Sequence, residues 1–91
     1  PKARVVVFSS PCNPTGSVFL RSELEAISKV ILKHENILVI ADEIYEHINF
    51  TNERVSIAAL PGMFERTITV NGFAKGFAMT GWRFGYIAAP L

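Results

Sequence analysis

The sequence predicts an α/β fold: a mostly parallel sheet holding one βαβ unit and ending in a β-hairpin. Three observations predict it. Two continuous apolar runs, residues 4–9 (RVVVFS) and 37–41 (ILVIA), flank a segment with helical periodicity. Two further apolar runs, 66–70 (RTITV) and 82–89 (WRFGYIAA), flank a turn rich in glycine and small residues. The 91 residues are 49% hydrophobic and 19% charged, which suits one packed domain and excludes a disordered tail.

Each element has a local reason. Residues 4–9 are β-branched and do not alternate, as in a parallel strand covered on both faces. Residues 10–18 carry two prolines and a glycine, which makes them a loop. Ser22 and Glu25 have the spacing of a capping box. Leu24, Ile27, Val30 and Ile31 then recur with helical period, and Lys33, His34 and Asn36 suit the helix end. Residues 37–41 repeat the continuous apolar pattern of a second parallel strand, and residues 42–54 turn polar. A short helical turn is expected over 56–60, closed by Pro61-Gly62. The third strand is 66–70. The fourth, 82–89, alternates enough to pair antiparallel with it across an extended turn at 71–81.

Charge and cysteine content exclude several functions. Nine Lys and Arg against eight Asp and Glu leave a net charge of +1. No strong field results, so neither nucleic acid nor an anionic membrane is an expected partner. No apolar stretch is long enough to span a bilayer. The single Cys12 cannot form an internal disulfide or a thiolate zinc site, and it reads as a small buried apolar residue. No signal-like stretch precedes the first strand, so a reducing, cytoplasmic setting is expected. Pro1 in place of a methionine, the apolar end at Leu91 and a mean hydropathy of +0.29 read as one unit, residues 1–91, cut from a longer chain.

Open α/β sheets bind ligands beyond the carboxyl ends of their strands. That edge gathers Ser10 to Gly16 after the first strand, Asp42, Glu43 and Tyr45 after the second, and Asn71, Gly72 and Lys75 after the third. Asp42 is either the cap of a following turn or a partly desolvated carboxylate that requires a cationic or N–H partner. Asn13-Pro14-Thr15-Gly16 is either an ordinary turn or a proline-fixed backbone, with a cis bond as one device, that points the Asn13 amide into the crevice. Lys75, amid Gly72, Phe73, Ala74 and Gly76, is either a solvated amine or a nucleophile for carbonyls in an apolar turn. Arg83 in an apolar strand requires an anion: a bound phosphate or carboxylate, or an ion pair with Glu43 or Glu46. His34 serves the helix end and His47 is exposed, so no metal site is expected. Glu23 with Glu25, and Glu43 with Glu46, read as solvated faces. Phe73, Phe77, Trp82, Phe84 and Tyr86 read as core.

The order of these motifs is specific where each alone is weak. Asn13-Pro14-Thr15-Gly16, Ala41-Asp42-Glu43-Ile44-Tyr45, Asn71-Gly72-Phe73-Ala74-Lys75, Met79-Thr80-Gly81-Trp82-Arg83 and Gly85-Tyr86 follow one another along nearly the whole chain. That succession resembles the class I/II aminotransferases of fold type I, typified by aspartate aminotransferase. The resemblance implies a segment of their three-layer large domain and pyridoxal 5'-phosphate as cofactor. It implies Lys75 as the Schiff-base lysine and proton carrier, and Asp42 as the partner of the pyridine nitrogen. Tyr45 and Asn13 become donors to the phenolate oxygen, and Arg83 the phosphate clamp. Substrates would be an amino acid and a 2-oxo acid, and the parent a homodimer.

Two departures stand out. Many relatives place a serine immediately before the lysine or three residues before it, where this chain has Ala74 and Gly72. The family's substrate-carboxylate arginine, its ring-stacking segment and a partner subunit's contribution lie outside these residues, so the isolated chain is expected to be inactive. Two alternatives belong to the same fold: a pyridoxal-phosphate carbon–sulfur lyase, and the ligand-sensing domain of a transcription regulator.

Overall fold

The computed structural model describes residues 2–91. Four strands, β1 (Val5–Ser9), β2 (Leu38–Asp42), β3 (Thr67–Gly72) and β4 (Gly85–Ala88), form one sheet in chain order. β1, β2 and β3 run parallel, and β4 returns antiparallel to β3. The helix α1 (Arg21–Ile31) connects β1 to β2. The fold class is the one that the apolar runs predict.

The core lies on one face of the sheet. Val39 and Ala41 of β2 are fully buried there, beneath Leu24 and Ile31 of α1 and Ile57, Leu60 and Met63 of the β2–β3 crossover. Register places Val6 and Phe8 of β1 and Thr67 of β3 beside them. The Thr67 hydroxyl donates to the Met63 carbonyl at 2.7 Å, which satisfies a polar group in this layer. The crossover holds the expected short turn, a 3-10 turn at Ile57–Ala59 whose N-cap is the Ser56 hydroxyl, and another at Phe64–Arg66, so β3 begins at Thr67 rather than Arg66.

Alternation sends Val5, Val7 and Leu38 to the opposite face, where they are exposed, Val7 to 66%. The sequence expectation of strands covered on both faces is therefore met on one face only. The second covering layer is absent among the described residues. The chain exposes 6384 Å², where a compact monomer of its mass exposes roughly 5,300 Å².

Three local expectations change. The helix starts at Arg21 rather than after Ser22, with Leu20 at its N-cap. Glu23 accepts from the Leu20 N–H at 2.8 Å, the return half of a capping box whose first half a leucine side chain cannot make. Glu25 instead lies 3.8 Å from Arg21, one turn earlier in the helix. The fourth strand starts at Gly85, not at residue 82, because Thr80–Trp82 is a 3-10 turn and Arg83 is left-handed at φ +56°. The aromatic residues around it are not core: Trp82 is 75% exposed, and Phe77, Phe84 and Tyr86 are also exposed. Phe73 alone is half-buried, with ring centroids of Phe77, Phe84 and Tyr86 at 5.6–5.8 Å.

Candidate active site

Parallel pairing brings the carboxyl ends of β1, β2 and β3 to one edge. The loop after β1 is shaped by cis bonds at Ser10-Pro11 and Asn13-Pro14. It is closed by Gly16 N–H on the Cys12 carbonyl at 2.7 Å and Cys12 N–H on the Ser17 carbonyl at 3.0 Å. Gly16 sits at φ +70°, a conformation that glycine adopts without steric cost. Asn13 at the crest of this loop is exposed, and its Nδ2 donates to the Tyr45 hydroxyl at 3.3 Å.

Tyr45 owes its position to the residues after β2. Asp42 Oδ1 accepts the Ile44 N–H at 3.0 Å, bending the chain as it leaves the sheet. Glu46 N–H on the Glu43 carbonyl and Ile48 N–H on the Tyr45 carbonyl, at 2.9 and 2.8 Å, tighten the next turns. Asp42 thus does act as a cap. Tyr45, Asn13, Pro11, Cys12, Pro14 and Ile48 line a cleft of about 290 Å³. Cys12 is only partly buried there, and its thiol is free.

Lys75 reaches the same place from β3. Its Nζ lies 5.9 Å from the centre of the Tyr45 ring, within cation–π range. The crowded apolar turn expected around it is not formed, for Lys75, Gly76, Phe77 and Ala78 are all exposed. Asn13, Tyr45 and Lys75 are therefore one cluster. Asp42 and Arg83 are not brought into it by any side-chain contact, and both bond locally. Arg83 pairs with neither Glu43 nor Glu46. Its Nη1 donates to the Thr80 carbonyl at 3.1 Å, and it shares a shallow cleft of about 210 Å³ with Ala74, Phe84 and Gly85.

Gly72 has a steric reason to be glycine. A Cβ there would stand 2.9 Å from the Phe84 carbonyl oxygen and 3.0 Å from the Cα of Gly85, its partner across β3 and β4. A serine at that position has no room in this hairpin.

The sequence misread several residues. Glu43 is half-buried rather than solvated, and it helps line a cavity of about 220 Å³ with Arg54, Val55 and Ser56. Burial pushes its carboxyl up from the usual 4.5, a hydrogen bond with Ser56 pulls it back, and Glu46 pushes it further up. The available signal was parity: a residue following Asp42 must point to the covered face. Glu46 is half-buried, and Asn71, placed at this edge without a role, is 5% exposed. Their amide–carboxylate bond at 2.8 Å joins residues 25 positions apart, and no periodicity announces it.

The whole chain, residues 1–91, matches the family described as aminotransferase class I and II. It belongs to that family. It is 57% identical over 89 residues to an aspartate aminotransferase of Pinus pinaster, a match covering 97% of this chain and 18% of the relative. It is 54% identical over 90 residues to an aspartate aminotransferase of Pyrococcus abyssi, covering 98% of this chain and 23% of that one. The crystal structure of an aromatic aminotransferase from Pyrococcus horikoshii superposes with a TM-score of 0.90 at 56% identity, over 96% of this chain and 23% of the other. The chain thus spans about a fifth of the length of the curated relatives it matches. These relatives favour the aminotransferase reading over the lyase and the regulator. Among the described residues no helix is long and apolar enough to cross a membrane.

Proposed function

We propose that these residues are the cofactor-binding segment of the large domain of an aminotransferase that uses pyridoxal 5'-phosphate. The whole protein would move an amino group between an amino acid and a 2-oxo acid, as a homodimer in the cytoplasm. The observation that carries this reading is the convergence of Lys75, Tyr45 and Asn13 at the carboxyl edge of the sheet. The donor set fits the cofactor: an amine for its aldehyde, N–H and O–H donors for its phenolic oxygen, a carboxylate for its ring nitrogen and a guanidinium for its phosphate.

When bound, the cofactor supplies an electron-withdrawing ring that stabilises negative charge on the substrate α-carbon. Lys75 would hold the aldehyde, and its amine would carry the proton to and from that carbon. The Asp42 carboxylate would hold the ring nitrogen and favour its protonated form. Tyr45 and Asn13, already hydrogen-bonded to each other, orient the ring through its phenolic oxygen. Arg83 would hold the phosphate. With alanine at position 74 and no room for a hydroxyl at 72, its guanidinium carries more of that binding.

The test is amino transfer by the whole protein carrying this segment, with an aspartate or aromatic amino acid as donor and a 2-oxo acid as acceptor. The expected outcome is a new 2-oxo acid, and a loss of at least about 10⁴-fold in kcat on Lys75→Ala. Release of ammonia and a thiol from a sulfur amino acid would favour the lyase. Undiminished transfer by Lys75→Ala would overturn the assignment.

A further inference from the structure

Lys75 rides on residues 73–79, a turn closed by its own backbone. Phe77 N–H reaches the Phe73 carbonyl at 3.2 Å, Met79 N–H the Ala74 carbonyl at 3.0 Å, and Ala78 is left-handed at φ +53°. These bonds shape the turn but do not fix it relative to Tyr45. Two residues next to Tyr45 do.

Glu46 holds the root of the turn. Its Oε1 accepts the Asn71 amide at 2.8 Å, and Asn71 Oδ1 accepts the Gly72 N–H at 2.7 Å. Asn71 is almost fully buried, so an unpaired amide there is costly. His47 holds the crown. Its Nε2 lies 3.5 Å from the same Glu46 oxygen, and its ring meets Phe77 edge-on at 5.4 Å between centroids. Gly76 lies against the imidazole so closely that a Cβ on it would stand 2.6 Å from His47 Cδ2 and 3.1 Å from His47 Cβ. A methyl group there forces ring and turn apart by roughly 1 Å before ordinary contact returns.

We infer that Glu46 and His47 are positioning residues: together with Asn71 and Gly76 they latch the lysine turn and so set where the Lys75 amine stands over Tyr45. Because Tyr45 directly precedes Glu46 and His47, the segment that carries the phenol also makes the contacts to the lysine turn. The inference rests on the reading of Lys75 as the reacting amine.

The experiment uses the whole protein that carries this segment. Gly76→Ala is expected to lower kcat by roughly 10- to 100-fold while KM for the amino donor stays near the parent value, because a shift of about 1 Å misplaces the amine without touching the substrate. His47→Ala in the same molecule makes room for the methyl, so the double variant is expected to perform within a few-fold of His47→Ala alone. In the cofactor-free protein, Glu46→Ala is expected to speed amide hydrogen exchange at Gly72 and across residues 73–79 by roughly tenfold. Glu46→Gln, which keeps an acceptor for Asn71, leaves it slow.

A Gly76→Ala penalty that persists undiminished in the His47→Ala background overturns the latch. So does unchanged exchange in Glu46→Ala, which decides the matter alone if Gly76→Ala does not fold. Silent latch variants beside an inactive Lys75→Ala would sink the latch and leave the lysine assignment standing. Full turnover by Lys75→Ala would sink both.

Discussion

The two arms of the lysine hairpin are anchored very differently. The β3 arm ends in a buried asparagine tied to Glu46, and the turn beyond it lies against His47. The β4 arm has no comparable anchor: Trp82, Phe84 and Ile87 project from it, and Arg83 is held by its bond to the Thr80 carbonyl. The amine end of the candidate site is thus specified by contacts within these residues. Arg83, the proposed phosphate ligand, has among the described residues one side-chain hydrogen bond, to the Thr80 carbonyl. The difference teaches that one arm of a hairpin can be fixed by contacts across the sheet edge while its partner arm, on the uncovered face, is held mainly by strand pairing.

The same asymmetry runs through the sheet, and mutations can break or sharpen it. Met63→Ala, in the fully buried layer, is expected to cost about 2–5 kcal/mol, measured by denaturant unfolding of the whole protein. A smaller loss would mean that the covered face is loosely packed. Arg83→Ala is expected to weaken cofactor affinity roughly 10- to 100-fold in a titration, the scale of a lost charged hydrogen bond. A negligible change would place the phosphate elsewhere. Val7→Ala should cost about 1.5 kcal/mol in the whole protein, because the missing layer would bury Val7 there. A near-zero cost would show this face to be open to water.

The smallest effect concerns Glu43. Its carboxyl is raised by burial, so the folded state holds that proton to higher pH than the unfolded chain does. Its contribution is complete below the usual 4.5 and is lost as pH rises through the raised value. Glu43→Gln removes this loss. Thermal melts should therefore show the variant gaining on the parent as pH climbs above about 4.5 and holding that gain at neutral pH. A gain confined to acid pH would contradict the buried placement.

The sequence carried the strands, the crossover helix, the antiparallel return and the residues of the carboxyl edge, because continuous apolar runs and the Gly-rich turn are strong local signals. Less legible was whatever depended on distant partners. Leu20 rather than Ser22 is the N-cap, and Glu23 accepts its N–H. Trp82, Phe84 and Tyr86 read as core because aromatic residues in strands usually are. Here they are exposed for want of a covering layer among the described residues. The pairing of Asn71 with Glu46 and the fit of Gly76 to His47 left no trace in spacing, because they join segments that only the sheet brings together.

The central claim is that Lys75 is the amine that meets the cofactor. Its most direct test is to load the whole protein with pyridoxal 5'-phosphate, reduce it with borohydride and locate the label by mass mapping. Among the lysines of this segment, Lys2, Lys29, Lys33 and Lys75, saturable label on Lys75 alone, lost in Lys75→Ala, is the predicted result. Label on another lysine at equal strength, or scattered without saturation, would contradict it.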